Sequence, residues 1–386
     1  MTQSGKPHVS GRPLLFAGFV VTGFVTTVLG PVLPWLTARW GLSDAAAGAL
    51  FTIQFSGSII AGGLSGMIIA RLGASTTLAT GYALMAAGLT GLAFGDRLVG
   101  TSAMAVAGVG LGFVVPATNL MVARLTPAHA AAALGAVNLC WGLGAATWPI
   151  IVGRFNPVPG VHVALLVAAV LHLAVAARMS VAKFPIHALQ DHADAPPVAW
   201  NWRRLTVYGF CFVLYSGIEA AFGGWITEYT RRLATDTPSM RWETAASAFW
   251  GGLAGGRGIV ATGVARRVEN PAVFAGLVMV GISIASLLAA PQVSLVFAVA
   301  VICGLGFSPS FPVTMAGLSR EVPPKVAQPM IALGSLGAGI VPWMVGAISS
   351  RTGSLTAGLS ALLLLLAVLI GMHVLRVKNV ARPVTH

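Results

Sequence analysis

The chain has 386 residues, of which 56% are hydrophobic and only 9% charged, and its mean hydropathy is +0.85. A water-soluble domain carries about 25% charged residues to cover its surface, so most of this surface faces something other than water. The formal charge of +13 does not point to nucleic acid, because the basic residues stand singly or in pairs between apolar stretches, the pattern that orients membrane helices.

A helix needs about 20 apolar residues to cross the hydrocarbon. Twelve such spans are read along the chain, over 13–37, 45–70, 75–95, 99–123, 130–153, 159–178, 204–230, 244–265, 271–290, 293–317, 326–348 and 354–375. The first is too long for a cleaved signal and has no small-residue cleavage site, so it is expected to act as its own insertion signal. Spans 1 and 2 carry Thr26, Thr27 and Gln54 near mid-depth, and Asn119 lies lower in span 4. On span 5, Asn138, Trp141, Ala145 and Trp148 recur at helical spacing and share one face. Residues 179–203 form a polar link whose HALQDHAD run, 187–194, reads as linker composition rather than as a metal site. Span 7 holds Glu219, about 22 Å of helical rise beyond Arg204, among Gly217, Gly223 and Gly224, which are expected to loosen the helix. Span 8 holds Arg257, the one base inside a span.

The second half repeats the first. GLGAATWPIIVG from Gly142 and SLGAGIVPWMVG from Ser335 agree at 6 of 12 positions at an offset of 193, and GLGF recurs at Gly110 and Gly304. The copies lie six spans apart, and an even number preserves direction, so the repeat is parallel, about an axis along the membrane normal. The expected fold is an all-α membrane protein of twelve transmembrane helices in two parallel six-helix repeats. One bundle covers 1–178, a cytoplasmic linker 179–203 and a second bundle 204–386. With the N-terminus inside, fifteen Lys and Arg fall on inner segments and seven on outer ones, which places both termini in the cytoplasm. The lipid bilayer is the first partner, and the inner membrane of a bacterial cell the expected location.

Two six-helix halves joined by a cytoplasmic linker resemble the major facilitator superfamily over the whole chain. The family signature between helices 2 and 3, G-x-x-x-D-R-x-G-R-R, is met here by GMIIARLGAS: Gly66, Arg71 and Gly73 match, Ala70 replaces the acid, and Ala74 and Ser75 replace the basic pair. In the family that acid helps latch the inner gate, in part through a basic residue at the end of helix 4, here Arg124. The resemblance implies a degraded latch in the first half and gate control resting on the second, where Arg266, Arg267 and Glu269 remain. YSGIEAAFGGWITEY, 215–229, is similar to span 7 of the fucose-permease-like sugar branch.

An ionisable group inside a span costs roughly 2.5–3.5 kcal/mol at the centre on insertion scales, so each needs a reason. Of the ten acids only Glu219 is deep. A buried carboxyl with no fixed cation can exchange protons, as a coupling group must; the competing reading is a Glu that only hydrogen-bonds across spans 7 and 8. Arg257 also admits two readings. Its stem snorkels to the inner headgroups or pairs at the inner gate, or its guanidinium rises toward Glu219, about 10 Å higher, or toward an anionic substrate. An Asn beside an indole suits a sugar, whose hydroxyls need partners while its C–H face packs on a ring. Gln54, Asn138, Trp141 and Glu219 are therefore expected to touch substrate, with Trp225 and Trp250 as the opposite wall; helix packing is the competing reading for each Trp. Catalysis has little support, since the histidines are terminal, in loops or, for His162 and His172, on different faces of span 6. GLGF has no following Lys and reads as packing glycines.

These residues together point to a secondary active transporter and not an enzyme, monomeric and without cofactor or metal, working by alternating access. The leading expectation is proton-coupled uptake of a small neutral solute such as a sugar, with sodium as the other candidate ion. Proton-driven efflux of an apolar compound and a non-transporting membrane receptor are the rivals.

Overall fold

The computed structural model describes residues 11–125, 129–156, 160–184, 201–234, 241–261, 269–322, 330 and 332–380, and its elements are α-helices. The first pass is made of α1 (Arg12–Thr26) and α2 (Leu29–Trp40). The helix breaks between them because Pro31 has no N–H for the Thr27 carbonyl and its ring crowds that oxygen. Thr27 turns its hydroxyl back to the Gly23 carbonyl at 2.9 Å, and Gln54 donates to the Val25 carbonyl beside the break at 2.7 Å. Helix α3 (Asp44–Leu72) is capped by Ser43, whose side chain accepts from the Ala46 N–H, and ends at Gly73. Gly73, with φ +80°, adopts a backbone conformation that a side chain would strain, which explains this glycine of the loop signature.

The first six passes are completed by α4 (Ala74–Phe94), α5 (Arg97–Leu125), α6 (Ala130–Phe155) and α7 (Gly160–Val181). The second six are α8 (Trp202–Leu233), α9 (Thr244–Ala261), α10 (Glu269–Ala289), the pair α11 (Val293–Phe307) and α12 (Ser310–Glu321), then α13 (Gly334–Thr352) and α14 (Leu355–Val380). At the α11–α12 break the Ser308 hydroxyl donates to the Leu305 carbonyl at 2.7 Å, the oxygen that Pro309 cannot serve. Among the described residues ten spans are long and apolar enough to cross a membrane, and the shorter, glycine-rich α9 and α13 complete the twelve. Twelve passes return the chain to the face from which it started, here called the terminus face. The run 187–194 and both Arg266 and Arg267 lie outside the described residues.

Sequence duplication is also duplication of packing. A Cβ on Gly144 would lie 1.8 Å from the Val20 carbonyl oxygen, and one on Gly337 would lie 1.8 Å from the Val213 carbonyl oxygen. Both glycines and both partners are offset by 193, so the α1–α6 crossing recurs as the α8–α13 crossing. Small residues at such points let backbones touch where no hydrophobic force drives membrane helices together. Gly144→Ala and Gly337→Ala should each destabilise the bundle by about 1–3 kcal/mol through overpacking. Gly371→Ala, which meets nothing within 4 Å, should not. Thermal aggregation of purified protein in detergent checks this, and equal midpoints for Gly144→Ala and Gly371→Ala would reject it.

The expectation that glycines loosen span 7 is not met, because α8 runs unbroken over 32 residues. Its glycines are close approaches: a Cβ would lie 2.5 Å from Val341 at Gly217, 2.6 Å from Trp250 at Gly223 and 2.6 Å from Phe51 at Gly224. The breaks fall in spans 1 and 10 instead, where prolines remove backbone donors.

The two groups of six meet along α3 and α13, α6 and α9, and α2 and α8. Away from the terminus face the approach is tight, with a Gly48 Cβ position only 2.8 Å from Trp343 Cα and a Gly30 Cβ position 3.1 Å from the Gly223 carbonyl oxygen. Nearer the terminus face, α6 and α9 still touch at Gly142 and Ala254 (3.0 Å), but two turns further on a Cβ at Gly135 meets nothing within 4 Å. Among the described residues, the close approaches between the halves therefore concentrate toward the far face.

Candidate functional site

Glu219 lies at the middle of α8 and is 8% exposed. Arg257 reaches it from α9, with Nη2 3.7 Å from Glu219 Oε2, an ion-pair distance too long for a hydrogen bond. The same Nη2 donates to the Tyr215 hydroxyl at 3.1 Å, and Tyr215 is four residues before Glu219, on the same face of α8. The guanidinium carbon sits 5.3 Å from the Trp141 ring centre and 6.0 Å from that of Phe311, within reach of cation–π attraction. Arg257 thus turns inward, which corrects the expectation that it snorkels to the headgroups. A ring face and a phenol hydroxyl partner it inside the protein, and Gly256, whose Cβ position is 2.3 Å from Ser308 Oγ, seats α9 on the α11–α12 break. Glu219 correspondingly does have a cation beside it. Neither charge is fully satisfied: Glu219 Oε2 and Arg257 Nε are buried without a hydrogen-bond partner.

Aromatic walls from both halves surround the pair. Trp141 donates its Nε1–H to the Thr26 hydroxyl at 3.2 Å, at the end of α1, and meets Trp250 edge-on at 5.7 Å between ring centres. Tyr215 packs on Phe307 and Phe311, at 5.9 and 6.2 Å, one on each side of the α11–α12 break. The site therefore lies between the two broken passes, the position where interrupted helices mark transporter sites. Tyr215, Phe307 and Phe311 were not singled out from sequence. Their signals were present: the four-residue spacing of Tyr215 to Glu219, and Pro309 and Pro312 interrupting an apolar run.

The other expected contact residues divide. Asn138 is half-buried on the Trp141 face of α6, and its amide donates to the Leu134 carbonyl at 2.8 Å and to Asn119 Oδ1 at 3.4 Å. Gln54 is fully buried with its amide directed at the α1–α2 break, and Trp225 is fully buried with Nε1–H on the Pro342 carbonyl at 2.9 Å. Both amide and indole N–H groups are used between helices, Gln54 Oε1 is buried without a partner, and the ring that meets Trp141 is Trp250 rather than Trp225.

Of the expected gate residues, Arg71 is exposed at the end of α3, Arg124 is half-buried at the end of α5, and Glu269 opens α10. The polar closure that the structure displays is at the opposite face. Asp44, the first residue of α3, accepts from Arg232 Nη1 and Nη2 at 3.0 and 2.6 Å and from the Ser349 hydroxyl at 2.5 Å. Arg232 also shares with Arg231 the carboxylate of Glu228, which is 1% exposed. Ala45 N–H donates to the Ser350 hydroxyl, Arg241 donates to the Gly153 carbonyl, and Asn156 donates to Glu243. Asp44, Glu228 and Glu243, acids that the sequence did not single out, belong to the contacts that join the two halves.

Comparison with known proteins agrees with this architecture. The sequence profile of the Major Facilitator Superfamily matches residues 15–328. The niacin transporter NiaP of Acinetobacter baylyi is 26% identical over 165 residues, an alignment spanning 42% of this chain and 38% of that protein. A bacterial homologue of the human lysosomal transporter Spinster, solved inward-facing and occupied, superposes with TM-score 0.75 at 13% identity, covering 97% of this chain and 98% of its own. The fucose:proton symporter FucP of E. coli superposes with TM-score 0.66 at 17% identity, covering 96% and 99%. The chain belongs to the Major Facilitator Superfamily, a family of membrane carriers rather than enzymes.

Proposed function

We propose that this carrier is a proton-coupled uptake system in which Glu219 takes and releases the proton and Arg257 is its switchable partner. The observation that carries the reading is the loose ion pair itself: a buried carboxylate and guanidinium at 3.7 Å, each with an unpartnered polar atom, held between two broken passes where the halves meet. A pair so placed can be separated at little geometric cost when the halves, 1–178 and 204–386 about the linker 179–203, rock past one another. Similarity of fold to a fucose:proton symporter supports proton coupling. The positive-inside asymmetry assigns the terminus face to the cytoplasm of a bacterial inner membrane. On that assignment the closure at the far face supports an inward-facing carrier, in keeping with the higher similarity to an inward-facing neighbour. A neutral sugar has the weaker support, because the amide nitrogens of Asn138 and Gln54 expected to read its hydroxyls donate to backbone carbonyls, leaving Gln54 Oε1 as a buried acceptor without a partner.

Vesicles containing the purified carrier and a trapped pH dye test the reading. A transported solute, with nicotinate and fucose as first probes, should acidify the lumen beyond the signal of protein-free vesicles, with no need for sodium. Solute entry that requires sodium at fixed pH would reject it. A reporter fused after His386 should read cytoplasmic, and a periplasmic signal would reverse the orientation.

A further inference from the structure

The donors and acceptors at Arg257 identify the chemistry of the solute, on the reading that the Glu219–Arg257 pair is the transport site. Arg257 offers five N–H donors in a planar fork. Nη2 is committed to the Tyr215 hydroxyl, and Nε is buried with no partner. Glu219 at 3.7 Å stands outside hydrogen-bond range and keeps Oε2 unpartnered. Burying two charges without completing their hydrogen bonds is unfavourable unless something else completes them. A carboxylate is the group that matches the free edge of a guanidinium, accepting two parallel N–H bonds. The neighbours of the Arg257 guanidinium are flat rings: Trp141 from the first half, Phe311 and Tyr215 from the second, and Trp250 edge-on to Trp141. The polar side chains nearby are engaged, Trp141 with Thr26 and Asn138 with Leu134 and Asn119.

We propose that the site takes a small planar ring monocarboxylate, whose carboxylate displaces Glu219 from Arg257 while its ring lies against Trp141 and Phe311. Charge balance then fixes the coupling. Arg257 with Glu219 is neutral; adding a solute anion leaves one negative charge in excess, and one proton taken up by the Glu219 carboxylate restores neutrality. Each anion therefore travels with one proton, and no other charge has to move. The groups facing Glu219 are consistent with this. Arg257 comes from α9 and Tyr215 from α8 itself. Among the described residues, the helices packed against α8 carry no other carboxyl, amine, guanidinium or imidazole at that depth: α11 has none, and those of α2, α12, α13 and α14 (Arg39, Arg320, Glu321, Arg351, His373, Arg376, Lys378) lie toward the helix ends.

Calorimetric binding to the purified full-length protein in detergent tests the proposal and avoids the passive entry of weak acids into vesicles. Benzoate and nicotinate should bind, and benzamide and fucose should bind at least tenfold more weakly. Repeating the benzoate titration in buffers of different ionisation enthalpy should show uptake of one proton per ligand, and Glu219→Gln should remove that uptake. Arg257→Lys, which keeps the charge but loses the fork, should weaken benzoate at least tenfold; should that variant fail to fold, the benzoate–benzamide comparison on the wild type decides. Benzamide binding as well as benzoate, or fucose binding while neither carboxylate does, would overturn the solute class. If fucose alone binds and fucose-driven proton entry depends on Glu219, the class falls while the coupling reading stands. If benzoate binds without proton uptake, the carboxylate site stands, but the displacement of Glu219 and the proton-coupling reading both fall.

Discussion

Glu219→Gln is expected to abolish accumulation driven by a pH gradient while solute exchange across the membrane persists. Gln keeps the shape and hydrogen-bonding capacity of a protonated Glu but cannot titrate, so the carrier keeps its two conformations and loses the ion that biases them. Arg257→Ala should also lose driven accumulation, for a different reason. It leaves a carboxylate, 8% exposed, without its counter-ion, a change that costs about 3–5 kcal/mol for a buried pair broken on one side, unless the carboxyl is protonated. Measuring pH-driven uptake in both single mutants and in the double mutant separates the cases. Recovery of driven transport in Glu219→Gln/Arg257→Ala would mean that the pair is only a structural charge balance, and the proton-carrier role of Glu219 would be wrong. Driven uptake near normal in Glu219→Gln alone would have the same consequence.

Asp44→Asn should shift the carrier toward the state open at the far face. Asp44 is the junction of the closure there, receiving both terminal nitrogens of Arg232 from α8 and the Ser349 hydroxyl from α13. The Arg232 side chain is 33% exposed and that of Asp44 12%, so solvent screens the pair in part and its loss is worth about 1–2 kcal/mol. That is a five- to thirty-fold change in the ratio of the two states. Asn keeps the size of the side chain and its place at the start of α3, so packing is not disturbed. Arg232→Ala should shift the equilibrium further, because it also removes one of the two guanidinium partners of the buried Glu228. Spin labels at Arg97→Cys and Arg351→Cys, both exposed at the far face, in a background lacking Cys140, Cys211 and Cys303, would report a longer-distance population. An unchanged distance distribution in Arg232→Ala would remove this network from the gate.

How much of this was legible in the sequence depends on the range of the interactions involved. Span number, helix type and the parallel repeat follow from local composition: a run of about 20 apolar residues has no stable alternative to a helix in hydrocarbon, because every backbone group must bond within its own segment. The duplication was readable for a related reason. Gly144 and Gly337 meet carbonyls at 1.8 Å from a would-be Cβ, so neither copy can drift from glycine without separating the helices. Glu219 stood out because an acid in an apolar span has few tolerable explanations.

Partnership was not legible, because it depends on side-chain direction and on which helices become neighbours. Arg257 could be read as snorkelling or as rising until the fold put Trp141, from the other half of the chain, over its guanidinium and Tyr215 beside it. Gln54 and Trp225 looked like substrate contacts until the break at Pro31 presented the Val25 carbonyl to one and the α8–α13 crossing presented the Pro342 carbonyl to the other. Asp44 and Arg232, 188 residues apart, read as unremarkable helix-end charges, yet they close one face of the molecule. Sequence alone therefore determined what must be buried in the membrane and how often the chain crosses it, since those are properties of single segments. The tertiary structure decided which charges meet, because that is set by the packing of helices distant in sequence, where a rotation of one residue turns a side chain by 100° and changes its partner.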